Sequence, residues 1–517
     1  MAWYRAAIIA ALLLFGPAET AEAQDVTLTS RDGTVEITGT LLGFDGEFYR
    51  VNTQFGDLTV DGTGVVCDGP GCPSLTDYVA EVAFSGSSTM GEVLLPALVE
   101  GFALRNAYQA TRVGVDSSHF EYELARSGQV LGRFSFRVTN TDEGFADLLA
   151  NEADVVMALR EIRPDELSRA REAGMGDMTG RNRSRVLALD AIVPIVTARH
   201  PVSNISVPQL AAVLAGEVTN WSELGGPDAP IAVHMPSEGS GLSQSVEDSL
   251  LEPVEKVILS DVTRHPKGSD LVRAVINDPF AIGMASFAET GAARALILTG
   301  ECGFSLEASR RSIKTEDYPL TSPMFLYLPT RRLPKLVREF LSYTNGPSAQ
   351  IVIRRAGFVD QMPEQIPVNA QGDRFANAIM AAGPEVDLAQ LKSMMRALRP
   401  MQRLTLSFRF ERGSSRPDAQ SRANITQLAR AIETGVYDAR RLVFVGFSDG
   451  QGAAQRNLVI ARSRAENVRN QVLELAEVTA KNRVPVAVQA HGESLPMACD
   501  DSDWGRKTNR RVEVWVR

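Results

Sequence analysis

Histidine and cysteine are scarce in this 517-residue chain, with five of the first and four of the second. The histidines are scattered, and His200 and His265 each precede a proline. No paired His or second CxxC-like element accompanies the cysteines, so a zinc site is not expected. The sequence has no Walker-type loop and no Gly-x-Ser-x-Gly elbow with triad partners. These absences point to a non-enzymatic protein without metal or cofactor. Basic charge is also short: 53 Lys and Arg stand against 63 Asp and Glu, for a net charge of −10. A general nucleic-acid binder wants a basic surface, so nucleic acid is excluded as a partner. No apolar run reaches the roughly 20 residues needed to cross a bilayer.

What is present begins with an export signal. Arg5 supplies a positive start, Ala6 to Phe15 is apolar, and Ala21-Glu22-Ala23 is a small-x-small cleavage site. Residues 1–23 are therefore expected to be a secretory signal peptide, cut near Gln24. No cysteine follows the cut, so a lipid anchor is not expected. Export takes the chain to a compartment where disulfides persist. Cys67 and Cys72 flank a turn-rich stretch, Asp68 to Gly71, and are expected to bridge. The pairing of Cys302 and Cys499 stays open.

Three folded modules are expected from the patterning. Residues 24–74 alternate apolar and polar positions between the Asp-Gly pairs at Asp32, Asp45 and Asp61. Asp-Gly suits tight hairpins, so this is read as a small all-β module. Residues 75–360 mix strand-like and helix-like runs: Ala191 to Thr197 reads as a buried strand and Val207 to Leu214 as an amphipathic helix. That mixture implies an α/β domain. Residues 361–400 are rich in Pro, Gly and Ala and read as linker, with a short helix over Leu388 to Leu398. Residues 401–517 read as α+β, with helices on one face of a small mixed sheet.

The last module carries a specific set of motifs. Gly446-Phe447-Ser448-Asp449 runs on to Gly452, followed by Asn457-Leu458, Arg462, Arg464-Ala465 and Val468. Gly492-Glu493 and Pro496 come next, then Gly505-Arg506 and Asn509-Arg510-Arg511-Val512-Glu513. In this order they resemble the OmpA-like peptidoglycan-binding domain. The resemblance implies that the partner is peptidoglycan, bound through the diaminopimelate of its stem peptide. Asp449 would accept from the ammonium. Arg464, fifteen residues later, would fork onto the carboxylate. Asn457 would support the loop, and Arg511 would add positive charge beneath the ligand. Phe447 and Ser448 depart from the family's usual His-Thr pair.

The middle module resembles the phosphate-binding proteins of ABC importers, which are two-lobed periplasmic binding proteins. The carriers are Ser85 to Met90, Ala153 to Arg160, Asn220-Trp221 to Gly226, Tyr318-Pro319-Leu320 and Gly357-Phe358. The resemblance implies an anion cleft built from Ser87, Ser88, Thr89, Thr141, Arg160, Ser240 and Gly241. Pro236 stands where the family has an arginine, Leu242 where it has a threonine, and Asp142 and Glu143 add carboxylates. An added carboxylate repels a phosphate dianion.

Together the resemblances imply a multidomain periplasmic protein held non-covalently on peptidoglycan, near the outer membrane, that binds or senses a small anionic solute. The alternatives are an envelope adaptor with a degenerate cleft, whose other partner is an envelope protein, and the phosphate-binding component of an ABC importer.

Overall fold

The computed structural model describes residues 25–517, apart from 76, 181–182, 384, 411–413 and 477–481. The expected signal peptide, and its cleavage site before Gln24, lie outside the described residues. Two compact units form: residues up to 81 together with 332–339, and residues 82–331 together with 340–517.

In the first unit the strands Gly56–Asp61, Phe48–Thr53, Glu36–Phe44, Asp25–Ser30 and Val65–Asp68 lie side by side in that order. Their pairings are antiparallel. Alternation puts Val26, Leu28, Leu41, Tyr49 and Val51 into one small core. Cys67 and Cys72 are bridged, as their spacing implied. Residues 332–339 join this unit through charge: Arg338 and Lys335 contact the two oxygens of Glu47 at 2.6 and 3.0 Å. Those hydrogen bonds hold the Glu47 carboxyl down at about 2.

The second unit opens with two lobes. In the first, strand Val155–Ala158 pairs with Ala80–Ser87 on one side and Thr321–Tyr327 on the other. In the second, Ala281–Ser286 lies between Ser184–Val196 and Ala232–Pro236, with Thr263–His265 beyond. Strand Ser184–Val196 joins the two, pairing with Thr321–Tyr327 early in its length and with Ala281–Ser286 late. It is apolar over most of its run and buried on both sides, as the β-branched stretch from Ala191 implies. The helix expected over Val207–Leu214 forms there, capped by Ser206, which accepts from Gln209 N.

The C-terminal domain is a sheet ordered Gln365–Pro367, Gln402–Arg409, Arg511–Val516, Leu442–Phe447, Val486–Gly492. Helices Ala419–Glu433 and Ala454–Leu475 cover one face through Ile425, Leu428, Ala465 and Val468. Two expectations change here. The segment 361–400 is not a plain linker. It supplies the edge strand Gln365–Pro367 and helices Gly372–Met380 and Leu388–Leu398. Nor are helices confined to one face. Leu391, Met394 and Leu398, on one stripe of the second of these helices, cover Val443, Val445, Phe447 and Trp515 on the opposite side of the sheet. The reason is visible in Leu442–Phe447. It is apolar at every position but Gly446, so it needs cover on both faces.

The C-terminal domain is fastened to the lobes. Cys302 of the second lobe is bridged to Cys499, a pairing the sequence left open. Arg403 forks onto Asp317 with contacts of 2.7 and 3.1 Å. Burial alone would raise the Asp317 carboxyl, but Arg403 holds it below the usual range. Trp504 Nε1 donates to Ser249 O at 2.9 Å. Glu161, one residue beyond Arg160, accepts from Ala419 N at 2.8 Å and so caps helix Ala419–Glu433.

Candidate functional site

Two places gather the residues that the sequence singled out. The first is the loop between strand Leu442–Phe447 and helix Ala454–Leu475. Gly446 lets the two approach: a Cβ there would sit 2.0 Å from Ala461 O, so no side chain fits. Asp449 follows on the loop, only 9 % exposed. Its partner is Arg510, whose Nη1 donates at 2.7 Å. Arg464 lies nearby on the helix, close enough that both Asp449 and Arg510 act on its charge. It is 6 % exposed, its guanidinium sits 5.1 Å from the Phe410 ring centroid, and Nη2 makes one long contact of 3.4 Å to Ser414 O. Nε has no partner. Burial pulls its proton affinity below the ordinary value; Arg510 pulls the same way and Asp449 opposes.

Asn457 donates to Glu493 at 2.5 Å and so ties the helix to the turn after strand Val486–Gly492. Arg511 is the residue expected to add positive charge beneath the ligand. It is fully buried, 2.7 Å from Glu513, with its guanidinium over the Phe447 ring. The positive neighbour of Asp449 is Arg510 instead. Consecutive residues entering a strand point to opposite sides, so one of the Arg510-Arg511 pair meets the loop and the other the core.

The second place is the cleft between the lobes. Gly86 has φ +130°, and a Cβ there would meet Met157 O at 2.2 Å, so glycine is required where the strand turns into the first loop. Ser87 is fully buried and its Oγ has no partner among the described residues. Ser88 and Thr89 follow, half-buried. Across from them, Ser240 caps the helix Gly241–Val246, accepting from Ser243 N. Gly241 faces Ser87 so closely that a Cβ would lie 2.7 Å from the Ser87 hydroxyl. Asn140 Nδ2 donates to Gly239 O at 2.7 Å, and Thr141 N to Gln244 Oε1 at 3.2 Å. The Thr141 hydroxyl accepts from Leu159 N. The structure thus brings Ser87, Thr141, Ser240 and Gly241 together with the lobes in contact.

Arg160 is spoken for by carboxylates. It pairs with Asp142 and with both oxygens of Glu166, and its Nε lies 3.6 Å from Asp248. Arg163 reaches the same Asp142 and Asp248. Asp142 was foreseen as intrusive; Asp248, from the second lobe, was not. Sequence reasoning also missed Arg264. It sits on strand Thr263–His265, beside Met235 of the neighbouring strand, and donates to Ser243 Oγ at 2.9 Å and Pro236 O at 3.1 Å. A guanidinium therefore stands near the position that Pro236 left without one. Only strand pairing reveals this, since the two positions are 28 residues apart.

These features define a class: a two-lobed α/β domain joined to a C-terminal α+β domain. The profile of the PBP superfamily domain matches residues 73–347, more than half of the chain, and the chain belongs to that superfamily. The OmpA family profile matches residues 409–510. Protein SphX of Synechococcus elongatus is 25 % identical over 276 residues, covering 50 % of this chain and 80 % of that protein. Phosphate-binding protein PstS of Borreliella burgdorferi is 24 % identical over 185 residues, 34 % of this chain and 65 % of that one. Among solved structures, an ABC-type phosphate transport receptor from Vibrio cholerae aligns with a TM-score of 0.42 and 19 % identity. It covers 54 % of this chain and 99 % of that one. Among the described residues no helix is long and apolar enough to cross a membrane.

Proposed function

We propose that this is a periplasmic solute-binding protein anchored to peptidoglycan, and that its anchor takes the diaminopimelate of the stem peptide between Asp449 and Arg464. The observation that carries the reading is the guanidinium of Arg464. It is buried, charged, without a carboxylate of its own among the described residues, and close to a carboxylate that Arg510 already holds. A buried group with unfilled donors costs stability unless something fills them. A ligand that brings one carboxylate for Arg464 and one ammonium for Asp449 does so. Asn457 and Arg510 act as positioning residues, and Arg511 belongs to the core. The test is co-sedimentation of the full-length mature protein with insoluble peptidoglycan. Arg464→Ala and Asp449→Ala should each lose binding while keeping the native circular dichroism; wild-type sedimentation by both variants would refute the site.

For the cleft we infer an altered ligand rather than high-affinity phosphate. The support is the engagement of Arg160 by Asp142, Glu166 and Asp248. These carboxylates neutralise the arginine and repel a dianion. The adaptor reading has one observation in its favour: the lobes are already joined by Asn140–Gly239 and Arg163–Asp248 contacts. A screen of small anions by thermal shift separates the two, because a ligand that binds only the folded state raises its stability. A shift with any anion supports solute binding, and none across the screen supports the adaptor.

A further inference from the structure

Residues 25–72 lie outside both family matches. The stretch 25–81 holds ten Asp and Glu against two cations, Arg31 and Arg50. Residues 332–339 bring further basic side chains, but Arg332, Lys335 and Arg338 are taken up by Asp45 and Glu47. Asp57 and Asp61 are held by neutral donors only. Asn52 Nδ2 donates to Asp57 at 2.7 Å, and Thr63 N and Oγ1 each donate to Asp61 at 2.8 Å. Arg50 stands opposite Thr59, between them, and makes an ion pair with neither among the described residues.

Both acids lie on strand Gly56–Asp61, which ends its sheet. Among the described residues it pairs with Phe48–Thr53 and with no other strand. The two-residue turn Gln54-Phe55 makes Thr53 and Gly56 a hydrogen-bonded pair, and at the far end Gly62 N donates to Glu47 O at 2.8 Å. Bonded pairs alternate along an antiparallel ladder, so Leu58 and Val60 also bond inward. Asp57 and Thr59 therefore turn their N–H and C=O groups away from the sheet. The side chains alternate too. Leu58 and Val60, opposite Val51 and Tyr49, lie on the side of the small core. That core is open at its rim: Leu58 is 36 % exposed. Asp57, Thr59 and Asp61 lie on the other face. Phe55, at the turn that begins this edge, is 82 % exposed.

A strand laid along this edge would satisfy the free backbone groups of Asp57 and Thr59. Its apolar side chains would cover Leu58 and Val60 on one face, and its other side chains would meet Asp57 and Asp61. A second copy of this chain fits badly. Paired antiparallel with itself about Thr59, the strand sets Asp57 opposite Asp61, and like charges directly opposite destabilise a sheet. Positive charge fits. We propose that strand Gly56–Asp61 is a docking edge for an extended segment of a protein partner in which apolar residues alternate with Lys or Arg. The inference goes beyond the wall site and the cleft and depends on neither.

The experiment is isothermal titration of the full-length mature protein with the peptide Val-Lys-Val-Lys-Val-Lys, blocked at both ends. Two control peptides keep its length. Val-Glu-Val-Glu-Val-Glu reverses the charge, and Lys-Lys-Lys-Val-Val-Val keeps the charge but loses the alternation. Saturable binding of the first is expected, with none of the second and clearly weaker binding of the third. Thr59→Pro removes an outward N–H that the sheet does not use, so it should abolish binding while the native circular dichroism is kept. Should that variant unfold, the double variant Asp57→Asn, Asp61→Asn leaves the backbone alone. It should weaken the alternating peptide roughly three- to tenfold, the worth of two exposed ion pairs. Acids that serve only to keep the edge solitary would leave all three peptides unbound. That result, equal binding of the two basic peptides, or full affinity in the folded variants overturns the proposal.

Discussion

Replacing both Cys302 and Cys499 by serine removes the one disulfide between the second lobe and the C-terminal domain found among the described residues. The magnitude follows from the chain. The two cysteines are 197 residues apart. In the chain-entropy picture a cross-link over a loop of that length costs the unfolded ensemble about 5 kcal/mol of freedom at 25 °C. The native state should change little, because Arg403–Asp317, Trp504–Ser249 and Glu161–Ala419 keep the domains docked without it. The expected variant is therefore folded and less stable. Urea unfolding followed by tryptophan fluorescence checks this well, since Trp221 is buried in the second lobe and Trp515 in the C-terminal domain. The midpoint should fall by roughly 1–2 M, given a denaturant slope of several kcal/mol/M for a chain of this size. With both proteins reduced, which also opens Cys67–Cys72 in each, the wild-type curve should move onto that of the variant. A variant within about 1 kcal/mol of the oxidised protein would refute the reasoning: the unfolded chain would then be compact without the bridge.

Other predictions are shorter. Arg464→Ala and Asp449→Ala should each cost the wall complex roughly 2–5 kcal/mol by leaving a partner charge unpaired, and Arg464→Lys should recover only part, as a point charge cannot fork. Arg469, half-buried further along the same helix and bonded to Asn470, is the control, and its alanine variant should sediment like wild type. Phosphate should bind more weakly than micromolar; calorimetry giving about −8 kcal/mol or better would contradict the reading of Arg160 as neutralised. Glu316 is buried, its Oε1 has no partner among the described residues, and burial pushes its carboxyl up to about 8 from 4.5. A carboxyl whose folded value is raised adds no penalty below pH 4.5, and stability is lost as pH rises from there through 8. Glu316→Gln should therefore be more stable than wild type at pH 9, by up to about 5 kcal/mol, and no different at pH 4; equal stability at both would refute it.

Much of this was legible before any coordinates, and the reasons differ by element. Helices Val207–Leu214 and Leu388–Leu398 announce themselves by apolar spacing. The loop motif around Gly446 and Asp449 is local, and its glycine has a local cause in the close approach of Ala461. The segment 361–400 misleads because its prolines and glycines punctuate short elements that belong to a sheet starting later in the chain. Leu442–Phe447 held the counter-signal, a strand too apolar to leave a face in water. What sequence could not reveal is pairing at a distance. Arg403 and Asp317, 86 residues apart, look like two surface charges until they are found fully desolvated together. The same holds for Asp248 with Arg160 and for Arg264 with Ser243.

The bridge between Cys302 and Cys499 also changes what a protease can do to this molecule. A cut anywhere from residue 303 to residue 498 severs the backbone but not the protein, because both ends of that stretch are joined through sulfur. The fragments travel together until a reductant parts them. On a non-reducing gel a nicked chain keeps its intact mass, and only after reduction does it separate into pieces. The lobes therefore stay attached to the C-terminal domain after a single clip between Cys302 and Cys499.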